Sequence, residues 1–180
     1  MSFLSKLFGG KPAMPAYSSD ELTINGQRVK LTFFAHASVK LEYEGKHIYI
    51  DPVMENAQYD KLPKADMILV THSHYDHFDM AAIEALQTPD TRILLDKTSA
   101  EGFRGDCYTM LPGAKAEPFT DIRVEAVAAY NTSENQLQFH PKEREDCGYV
   151  VVLNDAVRIY FSGDTEPTPE LRALQGIDIA

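Results

Sequence analysis

Hydrophobic and polar positions alternate with a period of two through the chain from Leu22 to Pro52, and turn residues cut the alternation into strands. In ELTINGQRVKLTFF the break falls at Asn25-Gly26, a dipeptide that accepts the left-handed backbone of a tight hairpin. SVKLEYEGKHIYIDP repeats the device: Val39, Leu41 and Tyr43 alternate, Glu44-Gly45 turns, Ile48 and Ile50 resume, and Pro52 ends the strand after Asp51. The period then changes. ADMILVTH is a nearly continuous apolar run, the pattern of a strand covered on both faces. DMAAIEALQ follows with Met80, Ala82, Ile83 and Leu86 at helical spacing and Asp79 as its N-cap. TRILLD predicts another buried strand and KTSAEGF a short helix. Strand-type runs return in CYTML, KAEPF, DIRVEAVAAY, CGYVVVLN and VRIYFSGD, with a hairpin turn at Asn154-Asp155. TPELRALQ predicts a short helix capped by Thr168 with Pro169 in its first turn, and GIDIA a last strand. This order predicts an α/β (α+β) fold with helices packed against sheets.

Composition alters the fold prediction little but narrows function. A length of 180 residues supports one domain, assigned to residues 21–180 after a flexible leader over residues 1–20. No apolar run approaches the ~20 residues that span a bilayer. The opening MSFLSKLFGGKPAMPAY lacks a long apolar centre followed by a small-residue cleavage site, so a cytoplasmic protein is expected. A net charge of −10 opposes tight sequence-independent binding to nucleic acid, which needs clustered Lys and Arg. Cys107 and Cys147 form no CxxC pair and are expected as reduced thiols. The partner implied is a small-molecule substrate, with no nucleic acid and no membrane; a homo-oligomer is left open.

The chemistry concentrates in one stretch. THSHYDHFD, Thr71 to Asp79, places three of the six histidines and two aspartates directly after the buried run. In extended backbone the i, i+2 spacing of His72 and His74 puts both imidazoles on one side, where they can grip one ion. Asp76 and His77 follow where the chain turns into a helix and can add a carboxylate and a third imidazole. Nitrogen and oxygen donors without thiolate suit zinc, manganese or iron. No Ser-His-Asp arrangement and no phosphate-cradling P-loop competes with this site.

THSHYDH after a buried strand resembles the HxHxDH signature of the metallo-β-lactamase superfamily. FFAHASVKLEYEGKHIYIDP, VEAVAAYN and GYVVVLNDAVRIYFSGDT agree in order and character, over about residues 30 to 180, and are most similar to its lactonase-like, metal-dependent hydrolase branch. The resemblance implies a four-layer αβ/βα sandwich with metals at the edge between two sheets. It implies that His72 and His74 are ligands of a first metal, Asp76 and His77 of a second, and that Asp164 in YFSGDT bridges both. Asp51 resembles a strand-end aspartate that buttresses the ligand loop. His36 in AHASV matches a histidine common to this branch and is expected near the site, either supporting a ligand or only packing.

Two departures stand beside the match. Where the superfamily supplies a further histidine to the first metal, this chain has Asn131, and the next histidine is His140. Ligation by His140, weak ligation by the Asn131 oxygen, and water remain open there, with His140 favoured. The superfamily supplies a last histidine to the second metal beyond the bridging aspartate, and none follows Asp164 here. Either the chain is a form shortened in its C-terminal part or the second site is incomplete, with truncation or a partner that covers the end favoured. The function implied is hydrolysis of an ester, lactone or phosphodiester-type substrate by metal-activated hydroxide, using one or two Zn2+, or Mn2+ or Fe, with Asp76 and Asp164 orienting the nucleophile. Tyr130, Asn131 and Lys142 are expected to bind substrate, Lys142 attracting an anionic group, and Tyr75 to shape the mouth. An iron-dependent redox protein of the same fold and a non-catalytic metal-binding module are the alternatives.

Overall fold

Asn25-Gly26 and Glu44-Gly45 carry positive φ at all four residues (49°, 79°, 47° and 75°), the backbone that matches the twist of a two-residue hairpin. The structure is a computed structural model and describes residues 16–180. Around these two turns β1 (Ser18–Ile24), β2 (Gln27–Ala35), β3 (Ser38–Tyr43) and β4 (Lys46–Ile50) pair antiparallel in sequence order. β5 (Met67–Val70), β6 (Arg92–Asp96) and β7 (Tyr108–Met110) then add to β4 in parallel. Parallel neighbours need crossover connections, and α1 (Met80–Leu86) and α2 (Lys97–Gly102) lie in the two that follow β5 and β6. A second, antiparallel sheet runs in the order β11 (Val157–Phe161), β10 (Cys147–Leu153), β9 (Ile122–Ala128), β8 (Lys115–Phe119).

Side-chain parity explains how the layers stack. Met67 and Leu69 of β5 join Leu41, Ile48 and Ile50 in a core shared with Val124, Tyr149, Val151 and Ile159 of the second sheet. Ile68 and Val70, pointing the other way, pack with Tyr49, Leu95 and the buried Ala82, Ile83 and Leu86 of α1. Both faces of β5 are therefore covered, which is why its sequence reads as an unbroken apolar run. On the far side of the second sheet Val150, Val152 and Tyr160 meet Leu171, Leu174 and Ile177, from and after α3 (Pro169–Arg172). Helix, sheet, sheet, helix is the four-layer sandwich expected.

The caps are formed as the residue types require. Asp79 accepts from Ala81 N at 2.8 Å, Asp96 from Thr98 N and Ser99 N, and Thr168 from Leu171 N at 3.1 Å.

Some expectations are corrected. Of the leader expected over residues 1–20, the first fifteen lie outside the described residues. Ser18–Ile24 is strand, paired with Gln27–Phe33 along its length. The strand read around Leu22 thus begins earlier, inside the expected leader; six of its seven residues are exposed, so no buried position marked where it starts. Met80 is only partly buried, and Ala82, Ile83 and Leu86 carry the apolar face of α1. The GIDIA tail is not a strand; it makes one isolated bridge, Ile179 to Ile159. Among the described residues no helix is long and apolar enough to cross a membrane.

Candidate metal centre

The ends of β4 and β5 are tied together by one carboxylate. Asp51 takes a left-handed φ of 44° directly after β4, is almost fully buried, and donates its N–H to the Leu69 carbonyl at 2.9 Å. Its Oδ1 accepts from Thr71 N at 2.7 Å; its Oδ2 accepts from Thr71 Oγ1 at 2.7 Å and from His77 Nδ1 at 2.8 Å. Asp51 thus fixes both ends of the THSHYDH segment. A turn closes the segment, with His77 N and Phe78 N donating to the His74 carbonyl.

His72, His74 and His140 bring one ligand nitrogen each within 4.8 Å of one another. Their ring centroids are 4.6–4.8 Å apart. The hydrogen bonds set the tautomer of His72. Thr71 Oγ1 gives its proton to Asp51, so it accepts from His72 Nδ1 at 3.0 Å, and His72 Nε2 is left with a lone pair. That Nε2 is buried and has no hydrogen-bond partner among the described residues. A buried nitrogen left without a partner costs free energy, unless something it can donate electrons to sits before it. Burial also pushes the His72 pKa down, to about 2, with His77 adding to the effect. A neutral imidazole with its lone pair facing two others is what a cation needs. His140 arrives by a different route: its Nδ1 donates to Asp146 Oδ2 at 3.1 Å, and Asp146, itself buried, also accepts from Arg144 Nε at 3.0 Å. The Asn131 N–H donates to the His140 carbonyl at 2.8 Å and holds the loop closed.

Asp164 stands between this group and a second one. Its Oδ2 is 3.5 Å from His140 Nε2 and its Oδ1 3.3 Å from His77 Nε2. These two histidines hold the Asp164 carboxyl far below the usual carboxylate range. Without an ion they share the cost of its charge. The Asp146 and Asp164 hydrogen bonds raise His140 to about 9. Burial opposes charge on His77, but its bonds to Asp164 and Asp51 outweigh it and raise His77 to about 10. Gly163 lets Asp164 approach. It has φ 59°, and a Cβ there would lie 2.8 Å from the Thr71 side chain. Across from Asp164, His36, His77 and Asp164 place their ligand atoms within 4.8 Å of one another. Asp76 is beside them, with Oδ2 3.4 Å from His36 Nε2.

Five of the six histidines therefore converge, His47 being the one outside. The structure brings His140 rather than Asn131 to His72 and His74; the Asn131 amide donates to the Gln136 carbonyl instead. Tyr130 and Lys142, expected to bind substrate, do not line the cavity at the histidines. Lys142 Nζ is held by Glu170 Oε1 at 3.1 Å and lies 4.7 Å over the Tyr130 ring. Both line another cavity, of about 500 Å³, with Glu170 and Leu174. The cavity at the histidines, about 630 Å³, is lined by His74, Tyr75, Asp76, Asn131, Phe139 and Asp164 among others. Sequence reading missed Thr71, Asp146, Arg144 and Gly163. Their signal, an acid six residues beyond a histidine or a glycine before an aspartate, is too common to stand out.

Residues 30–180 match the beta-lactamase superfamily domain. The chain belongs to that family. A UPF0173 metal-dependent hydrolase of Flavobacterium johnsoniae is 46% identical over 157 residues, covering 81% of this chain and 66% of the relative. One from Aeropyrum pernix is 26% identical, covering 81% of this chain and 65% of the relative. The crystal structure of a protein from Parabacteroides distasonis, assigned as a metal-dependent hydrolase, superposes with a TM-score of 0.85 at 36% identity, over 91% of this chain and 73% of that one. The chain thus spans about two thirds of the length of the curated relatives it matches.

Proposed function

We propose that the chain carries the metal centre of a metal-dependent hydrolase. His72, His74 and His140 hold one cation, Asp76 and His77 a second, and Asp164 lies between them. The observation that carries this reading is the buried, partnerless Nε2 of His72, in a group with His74 and His140 whose ligand atoms all lie within 4.8 Å of one another. Zinc suits this donor set, and manganese or iron would also be held by it. When bound, the cations lower the pKa of water towards 7 and polarise the oxygen of the scissile group.

The chain's own residues do the rest. Asp51 and Asp146 orient His77 and His140 through their Nδ1 atoms, so that each Nε2 faces the centre. The rim is partly apolar, with Tyr75 at 84% exposure and Phe139 at 50%. Asn131, Gln136 and Thr165 add amide and hydroxyl groups, and among the described residues no Lys or Arg lines the cavity. That lining supports an uncharged ester or lactone with an apolar portion over a phosphodiester. The test is a panel of esters, lactones and phosphodiesters given to Zn2+-loaded protein. Turnover of a carbonyl substrate is expected, with Asp76→Ala and Asp164→Asn each lowering kcat more than about 100-fold by removing groups that hold the reacting centre. Parental rates in both variants would overturn the assignment.

A further inference from the structure

His36 was expected to stand near the centre, supporting a ligand or merely packing. The geometry points to more: we propose that His36 is itself a ligand of the second cation, which is then held by His36, His77 and Asp164 with Asp76 at its side. This rests on the metal centre proposed above and extends it to a residue from another part of the chain.

The backbone is built to aim this ring. The pairing of β2 with β3 shifts register between Phe33 and Ala35, just before His36, and His36 takes a left-handed φ of 49°. A shift of that kind re-aims a side chain at the end of a strand. A non-glycine residue in left-handed backbone is uncommon and carries a cost that the surroundings must offset. A histidine that only packs would offset it by burial, yet this side chain is 48% exposed. What it gains is position. Its Nε2 is 3.1 Å from His77 Nε2 and 3.4 Å from Asp76 Oδ2.

The separation is that of a hydrogen bond in the ion-free centre and lies near that of shared ligation. Two donors about 2.1 Å from one tetrahedral ion stand about 3.4 Å apart, and the nitrogens of His36 and His77 are 3.1 Å apart. The His77 tautomer agrees. Asp51 takes the Nδ1 proton, so in neutral His77 the Nε2 lone pair faces both His36 Nε2 and Asp164 Oδ1. Three electron-rich atoms converging from three separate segments need a cation or a shared proton between them. The first histidine group already has its three nitrogens, so His36 serves the other position.

Metal content separates this inference from the reading beneath it. The chain is loaded with Zn2+, passed through gel filtration and analysed for metal, and the affinity of each site is titrated against a chromophoric chelator. His36→Asn and His36→Gly both tolerate the left-handed φ, so either keeps the turn; His47→Asn is the control away from the centre. Two ions are expected in the parent and in His47→Asn. In the two His36 variants one ion stays at parental affinity and the other weakens by more than about tenfold, the loss that even a group behind a ligand produces. His74→Ala loses the opposite ion. Two ions at parental affinities in His36→Asn and His36→Gly would overturn the role of His36 while leaving the metal centre standing. A single ion in the parent that ignores both substitutions would overturn it too. A parent that binds no ion would overturn the centre and this inference together.

Discussion

Asp51 and Asp146 do for two histidines what neither His77 nor His140 could do alone: each takes the Nδ1 proton, fixes the ring and leaves Nε2 facing inward. Groups in this position behind a ligand commonly change metal affinity about 10–100-fold when lost. Asp146→Ala should therefore weaken Zn2+ binding by about that factor with little change in circular dichroism, as measured by chelator competition. Asp146 is the more informative of the two because Asp51 also joins two strands. At the same scale, Cys147 is fully buried in the inter-sheet core, and burial drives its thiol pKa far above the ordinary value. Native protein treated with iodoacetamide should be labelled at Cys107 long before Cys147, read by mass spectrometry of the digest; equal labelling would show an open core. His72, His74, Asp76 and His77 were legible because their spacing is local. His140 was legible only as one of three readings, and Asp146 not at all, because contacts across many residues leave no trace in periodicity.

At the level of elements, the hairpins at Asn25-Gly26 and Glu44-Gly45 and the caps Asp79 and Thr168 could be read directly, since each depends on a few adjacent residues. Asp96 is the cap with the largest consequence. It is fully buried at the end of β6 and accepts from Thr98 N, Thr98 Oγ1 and Ser99 N, so it closes α2 and polarises the strand-to-helix turn. Asp96→Ala should cost about 1–2 kcal/mol, with the three donors left to find water, measured as a lower midpoint in urea; an unchanged midpoint would mean α2 contributes nothing to cooperative folding. The start of β1, Ser18–Asp20, was read as leader for the opposite reason. This end of an exposed edge strand has no buried face to mark it, and its register with β2 is set by the turn at Asn25-Gly26.

For the whole molecule, strand parity predicted which residues would be buried, but not which sheet each strand joins. The family resemblance implied two sheets without sorting the strands between them, and β7 and β8, adjacent in sequence, lie in different sheets. The sandwich matters to function because β5 of one sheet and β10 and β11 of the other deliver His72, Asp146 and Asp164 to one edge. Cys147 N donates to the Thr71 carbonyl at 3.1 Å, and Tyr149 Oη to the Val70 carbonyl at 2.8 Å, so the sheets are pinned together beside the metal groups. A cation seated there should stabilise the fold by mass action, by about 4 kcal/mol at a thousandfold excess over Kd. The most direct test of the metal centre is elemental analysis of protein purified without added metal, paired with its melting temperature before and after chelation. At least one equivalent of a divalent first-row metal per chain is expected, with a drop of several degrees in Tm on its removal and recovery on adding Zn2+. Folded protein with no bound metal and a Tm unmoved by Zn2+ would contradict it.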